Sequence, residues 1–160
     1  MRHRNESGLK AMVRSIEGLL AQPAVEFLAR VLLTFPFWGS GLSKLIDFQG
    51  GVAEMAHFGF NPPVLFNLAV ILTQLGGSAL VILNRWTWLG AGALAVFTAL
   101  TIPLVHHFWA LEGERAIIAF HTATEHVGMI GALAVVSILS ERRRRHAVGF
   151  ESRLGPQGAN

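Results

Sequence analysis

An all-α bundle of four transmembrane helices, preceded by a helix lying on the membrane surface, is the fold class this sequence predicts. Three observations predict it. Of 160 residues, 52% are apolar and 14% charged, and the mean hydropathy of +0.47 exceeds what a small soluble domain carries. Two runs, 64–83 and 86–105, pass without a single charge; each has the roughly 20 residues that cross a hydrocarbon core about 30 Å thick. The basic residues gather at the two ends and in one short turn, where topology signals sit.

Taken in order, residues 1–25 form an N-terminal segment. Leu9, Met12, Val13, Ile16, Leu19 and Leu20 recur at helical spacing with Lys10, Arg14 and Glu17 between them, the pattern of an amphipathic helix at the interface. The apolar run that follows is long, holds Arg30 and Pro36, and lacks a small-x-small cleavage site, so a cleavable signal is not expected.

The membrane domain spans 26–140, with helices at about 27–46, 64–83, 86–109 and 116–139. In the first, Arg30 and Lys44 can snorkel to opposite interfaces, leaving 31–43 uncharged, and Glu26 and Arg30 at i, i+4 form an interfacial pair. Pro36 and Pro103 are expected to bend their helices. The segment 47–63, with its glycines and terminal Pro-Pro, reads as a lid dipping into the interface. Only Asn84 and Arg85 separate the second and third spans, which makes them an antiparallel hairpin. Gly76, Gly77, Gly90 and Gly92 let helices approach closely. Residues 141–160 form a basic tail led by Arg142, Arg143, Arg144 and Arg145.

Four spans put both termini on one side. Arg2, Arg4, Lys10, Arg14, Arg85 and the run from Arg142 to Arg145 share that side, against Arg115 in the outer loops; the positive-inside rule makes it cytoplasmic in a multi-pass inner-membrane protein. The same distribution assigns the basic residues to lipid headgroups rather than to nucleic acid. With no cysteine, disulfides, thiol relays and thiolate-held clusters are excluded.

A charge near mid-membrane costs about 2.5–3.5 kcal/mol on insertion scales and needs a partner or a wet cavity. Glu125 lies about 14 Å below the outer start of the fourth span, and His121 is one turn outward at i, i+4. That pair is the expected catalytic unit, a proton relay, while His126 is rotated by about 100° toward another neighbour. Lys44, Gln74, His106 and His107 are the expected ligand-binding residues, gathered in the outer half of the bundle. Three readings compete: polar packing between helices, donors to a quinone-like lipophilic molecule, and a metal held by His106, His121 and Glu125. The last lacks a diagnostic motif, and no resident metal is expected.

The order of LARVLL, GSGLSK and Phe48-Gln49-Gly50, then MAHFGFNPP, QLGGSALVILNRW and a histidine before Phe108-Trp109, resembles the DoxX family of small four-helix membrane proteins. The resemblance implies a membrane component of quinone-linked or stress-related redox assemblies. Members often carry a carboxylate where this chain has Gln74, and the fourth span here holds more ionisable groups than the family leads one to expect. The expected role is therefore a subunit or accessory of a quinone-linked oxidoreductase or redox-stress system, with a quinone as the candidate ligand, no intrinsic cofactor, and electrons from a redox partner protein. If the chain is an enzyme, it is an oxidoreductase component. The alternatives are a small transporter or a non-catalytic assembly partner, and oligomerisation is compatible with all three.

Overall fold

The computed structural model describes residues 2–153, so the last seven residues of the basic tail lie outside the described residues. Six α-helices follow in order: α1 (Arg2–Leu20), α2 (Pro23–Ile46), α3 (Phe48–His57), α4 (Pro63–Ile82), α5 (Thr87–Leu104) and α6 (Gly113–Arg153), with a 3₁₀ turn at Phe108–Ala110. There is no strand among the described residues. Three segments, Pro63–Ile82, Thr87–Ala110 and Gly113–His146, are each long and apolar enough to cross a membrane, and Gly8–Leu20 with Pro23–Ile46 meets the same measure only as a pair bent by 65°, which makes three to four candidate crossings among the described residues. The chain is a multi-pass helical membrane bundle.

Local chemistry explains the boundaries. Pro23 opens α2 at the first helical turn, where its missing N–H costs nothing. The bend before it sets α1 off from the bundle with Leu9, Met12, Val13 and Ile16 exposed, the face an interfacial helix lays on lipid. Pro36 sits inside α2 without interrupting it. The interfacial lid expected at 47–63 is a helix, α3, started by Asp47, whose carboxylate accepts from the Gly50 N–H at 2.9 Å, and anchored by Met55, 5% exposed.

The hairpin between α4 and α5 is tight because Asn84 and Trp86 both adopt left-handed backbone, φ 53° and 52°. Thr87 Oγ1 donates to Asn84 Oδ1 at 3.0 Å, closing the turn. Beyond it the two helices nearly touch: a Cβ on Gly90 would lie 2.6 Å from the Gly77 carbonyl oxygen, and one on Gly77 2.8 Å from Leu94. Small residues thus serve close packing, as in membrane bundles generally.

In cross-section α4 packs between α2 and α5, and α5 between α4 and α6. The core of Phe37, Val81, Ala91, Leu94 and Leu133 fills the half of the bundle nearer the termini. There α6 is also tied to α2. Arg30 donates to Glu26 and, at 3.2 Å, to Ser140 Oγ, and Arg143 pairs with Glu26. Arg30 does not snorkel outward as expected; at 5% exposed it turns between the helices, where a carboxylate and a hydroxyl await it. At 41 residues, α6 is about 60 Å long, so it outruns the bilayer and carries its arginines clear of it.

Candidate functional site

The other half of the bundle is hollow. A cavity of about 620 Å³ opens among α2, α4, α5 and α6 beneath α3. Its walls are chiefly apolar, with Phe37, Phe58, Phe60, Phe66 and Phe97 prominent, and its polar groups are Ser40, Lys44, Glu54, Thr73, Gln74, Thr98, Thr101, His106 and His126. A pocket of this size with few polar groups matches the usual anatomy of a small-molecule site.

Thr98 and Thr101 are already satisfied, their hydroxyls donating to the carbonyls of Leu94 at 2.7 Å and Thr98 at 2.8 Å. Gln74 is not. It is 5% exposed; its Nε2 donates to Ser40 Oγ at 3.3 Å, and its Oε1 is buried without a partner. Nδ1 of His126 is likewise buried, with the Thr122 backbone of its own helix as its polar neighbour. Lys44 forms an ion pair with Glu54, which joins α2 to α3 at the cavity's edge. Its side chain is 13% exposed, so it too points inward rather than to solvent.

Among the expected binding residues, the fold brings Lys44, Gln74 and His106 onto one cavity, and leaves His107 off its wall. The third span, Thr87–Ala110, is α-helical to Leu104 and closes in the 3₁₀ turn at Phe108–Ala110; of the two histidines between, His106 lines the cavity and His107 does not. His106 faces inward. Its partner is His126, with ring centroids 5.0 Å apart at 78°. The expected unit of His121 and Glu125 is placed otherwise. Both residues are exposed and neither lines the cavity, so the geometry turns that stripe away from the bundle interior. The physical reason lies in Ala119, Ala123 and Leu133, 7% exposed or less; they form the inward face of α6, and His126 shares it while His121 and Glu125 fall roughly opposite. No group of three His, Asp or Glu side chains suited to a metal occurs among the described residues, so the set His106, His121 and Glu125 is not assembled.

His126 and Glu54 are the ionisable cavity residues absent from the expected site. The small alanines at 119 and 123, one helical face with His126, were the available signal for the first. For the second it was a carboxylate ten residues after Lys44, within reach once the chain turns back at Asp47.

Fold and cavity together define a multi-pass helical membrane protein with a lipophilic chamber in one half of its bundle. Residues 25–107 match the family model described as DoxX, and the chain belongs to the DoxX family. The inner membrane protein YphA of Escherichia coli (strain K12) is 25% identical over 118 residues, covering 74% of this chain and 84% of that protein. No solved structure matches the chain significantly. The family match takes in every cavity-lining residue except His126 and Met129, which α6 supplies.

Proposed function

We propose that the chain is an inner-membrane component of a quinone-linked oxidoreductase or redox-stress system, and that its cavity holds a lipophilic ligand such as a quinone. Family membership and the relative's name support the membrane assignment. The observation that carries the ligand role is the stranded Oε1 of Gln74. A buried oxygen without a partner costs about 1–3 kcal/mol, and a polar ligand group in the adjoining cavity would remove that cost.

The residues present fit a quinone headgroup. The Ser40 hydroxyl accepts from Gln74 but can equally donate, so a half-turn of the amide exchanges acceptor for donor. The pair can therefore meet a carbonyl or a hydroxyl. His106 and His126 stand on the same cavity wall and can hold or release a proton there. The phenylalanines exclude water. A bound quinone would supply the electron-accepting carbonyls, and the electrons would come from a partner protein, this chain having no cysteine on which to build a thiolate centre.

A through-going permeation route has less support, since Val81, Leu94 and Leu133 are wholly buried and plug the bundle on the terminal side of the cavity. Both termini are taken as cytoplasmic. A single cysteine at Glu112, exposed in the α5–α6 connection, should then be labelled by an impermeant maleimide from outside the inner membrane.

The direct test is extraction of the detergent-purified protein into organic solvent, followed by mass spectrometry. A prenyl quinone or related lipophile near one per chain is expected. Phospholipid alone would remove the reading.

A further inference from the structure

We infer that α6 is the interface through which two copies of this chain pair in the membrane, with His121 of each copy reaching the partner's Glu125. The inference goes beyond the ligand reading and does not depend on the cavity.

Of the three individually qualifying spans, that of α6 has the smallest share buried inside the chain, 11% against 33% for α4. Its face opposite Ala119, Ala123 and Leu133 is exposed at His121, Glu125, Gly128, Val135 and Leu139 and half-buried at Ala132. On that face lie His121, Glu125, Gly128, Ala132, Val135 and Leu139, at successive spacings of four, three, four, three and four residues. This alternation keeps one stripe in register between two gently supercoiled helices, and it runs the length of the membrane crossing. Val135 and Leu139 are 55% and 52% exposed. A Cβ on Gly128 would meet nothing within 4 Å, which leaves room for a neighbouring backbone to approach closely.

The upper end of the stripe is what selects the occupant. Among the described residues Glu125 makes no side-chain hydrogen bond or salt bridge, its electrostatic neighbour being His126 of the same helix, and its depth of about 18 Å from the start of α6 puts it near the middle of the hydrocarbon. An ionisable group there faces protein or water rather than acyl chains. The stripe carries both an acid and a base one turn apart, so it is complementary to itself. A two-fold axis along the membrane normal sets two such helices side by side and parallel, and makes the same pair twice, as an isologous contact requires. A second copy of α6 therefore brings an imidazole to each carboxyl group, and both copies keep their termini on the same side.

The test exploits the absence of native cysteine. Full-length protein carrying Gly128→Cys or Val135→Cys is oxidised in membrane vesicles, beside Leu72→Cys, which lies 72% exposed on α4. Disulfide-linked dimers are expected for the two α6 variants and not for the control. In a second measurement, single-molecule photobleaching in liposomes over a range of lipid dilution, the dimerisation constant should fall about tenfold or more for Glu125→Leu and recover in part for Glu125→Gln, which keeps hydrogen bonding. Equal cross-linking at all three positions, monomers at every dilution, or a cross-link to a different protein would each overturn the inference.

Discussion

The imidazoles of His106 and His126 meet edge to face with centroids 5.0 Å apart, joining the chain just beyond the end of α5 to the inward face of α6 at the cavity wall. Ring contact and nitrogen chemistry are separable here. Phe in place of His126 keeps an aromatic ring and much of the edge-to-face attraction, worth about 0.5–1.5 kcal/mol, while removing both nitrogens. His126→Phe is expected to stay folded, with a melting temperature near the parent's, and to retain about tenfold less lipophilic ligand after purification, a loss of about 1.4 kcal/mol in binding. Melting and extraction on the same sample check both halves.

Gln74 offers a sharper separation of stability from binding. Its stranded Oε1 is a cost in the empty bundle, so Gln74→Leu, of similar volume, should leave stability unchanged or raise it by about 1 kcal/mol. Ligand retention should nevertheless fall. A variant that loses stability and keeps its ligand would show that Gln74 serves packing with Ser40 alone.

The helical membrane bundle and the tight α4–α5 hairpin are legible in the sequence because hydrocarbon thickness dictates run length and so short a link between two spans leaves only an antiparallel turn. The inward face of α6 is less so. In a soluble helix the apolar stripe marks the core, whereas in lipid every face is apolar and that period disappears. Polar residues are then the remaining markers, and α6 carries them on both sides: His126 inward, His121 and Glu125 outward. The i, i+4 spacing identified a genuine stripe without revealing what it faces. Likewise Lys44 has the length to snorkel, and nothing local announces that Glu54 of α3 draws it inward.

That ion pair is the contact through which α3 holds to α2 over the cavity. Glu54 is about half exposed, so the pair is worth about 0.2–1 kcal/mol. Glu54→Gln should therefore raise amide exchange in Phe48–His57 by about twofold to fivefold, with exchange in α4 and α5 unchanged. Ligand dissociation should quicken by a similar factor if α3 covers the way out.

Where Gly77 faces Gly90, a methyl group has no room. A Cβ on Gly90 would sit 2.6 Å from a backbone oxygen, which cannot swing aside as a side chain would, so Gly90→Ala must push α4 and α5 apart and is expected to destabilise by about 1–3 kcal/mol. Gly92, two residues on, would place its Cβ in open space, and Gly92→Ala should be neutral or slightly stabilising through helix propensity. Reversible denaturation of both variants in mixed micelles compares them directly; equal behaviour would mean that the hairpin is looser than this packing requires.

The cluster at the terminal end carries the largest expected loss. Arg30 is held by Glu26 and Ser140, with its Nε already unpartnered, so little else is available to it. Glu26→Ala leaves the guanidinium buried against Ser140 alone and should cost about 3 kcal/mol, the low end for breaking a buried pair because Glu26 is itself partly exposed. Adding Arg30→Met removes the stranded charge and fills its path with an apolar side chain, so the double variant should recover most of that loss. Arg143→Ala removes only a partner that is 62% exposed and should cost less than about 1 kcal/mol. Denaturation of these three variants and of Arg30→Met alone, read as a double-mutant cycle for Glu26 and Arg30 with Arg143 as the reference, would separate a clamp between α2 and α6 from a surface ion pair, since a surface pair predicts small and additive losses throughout.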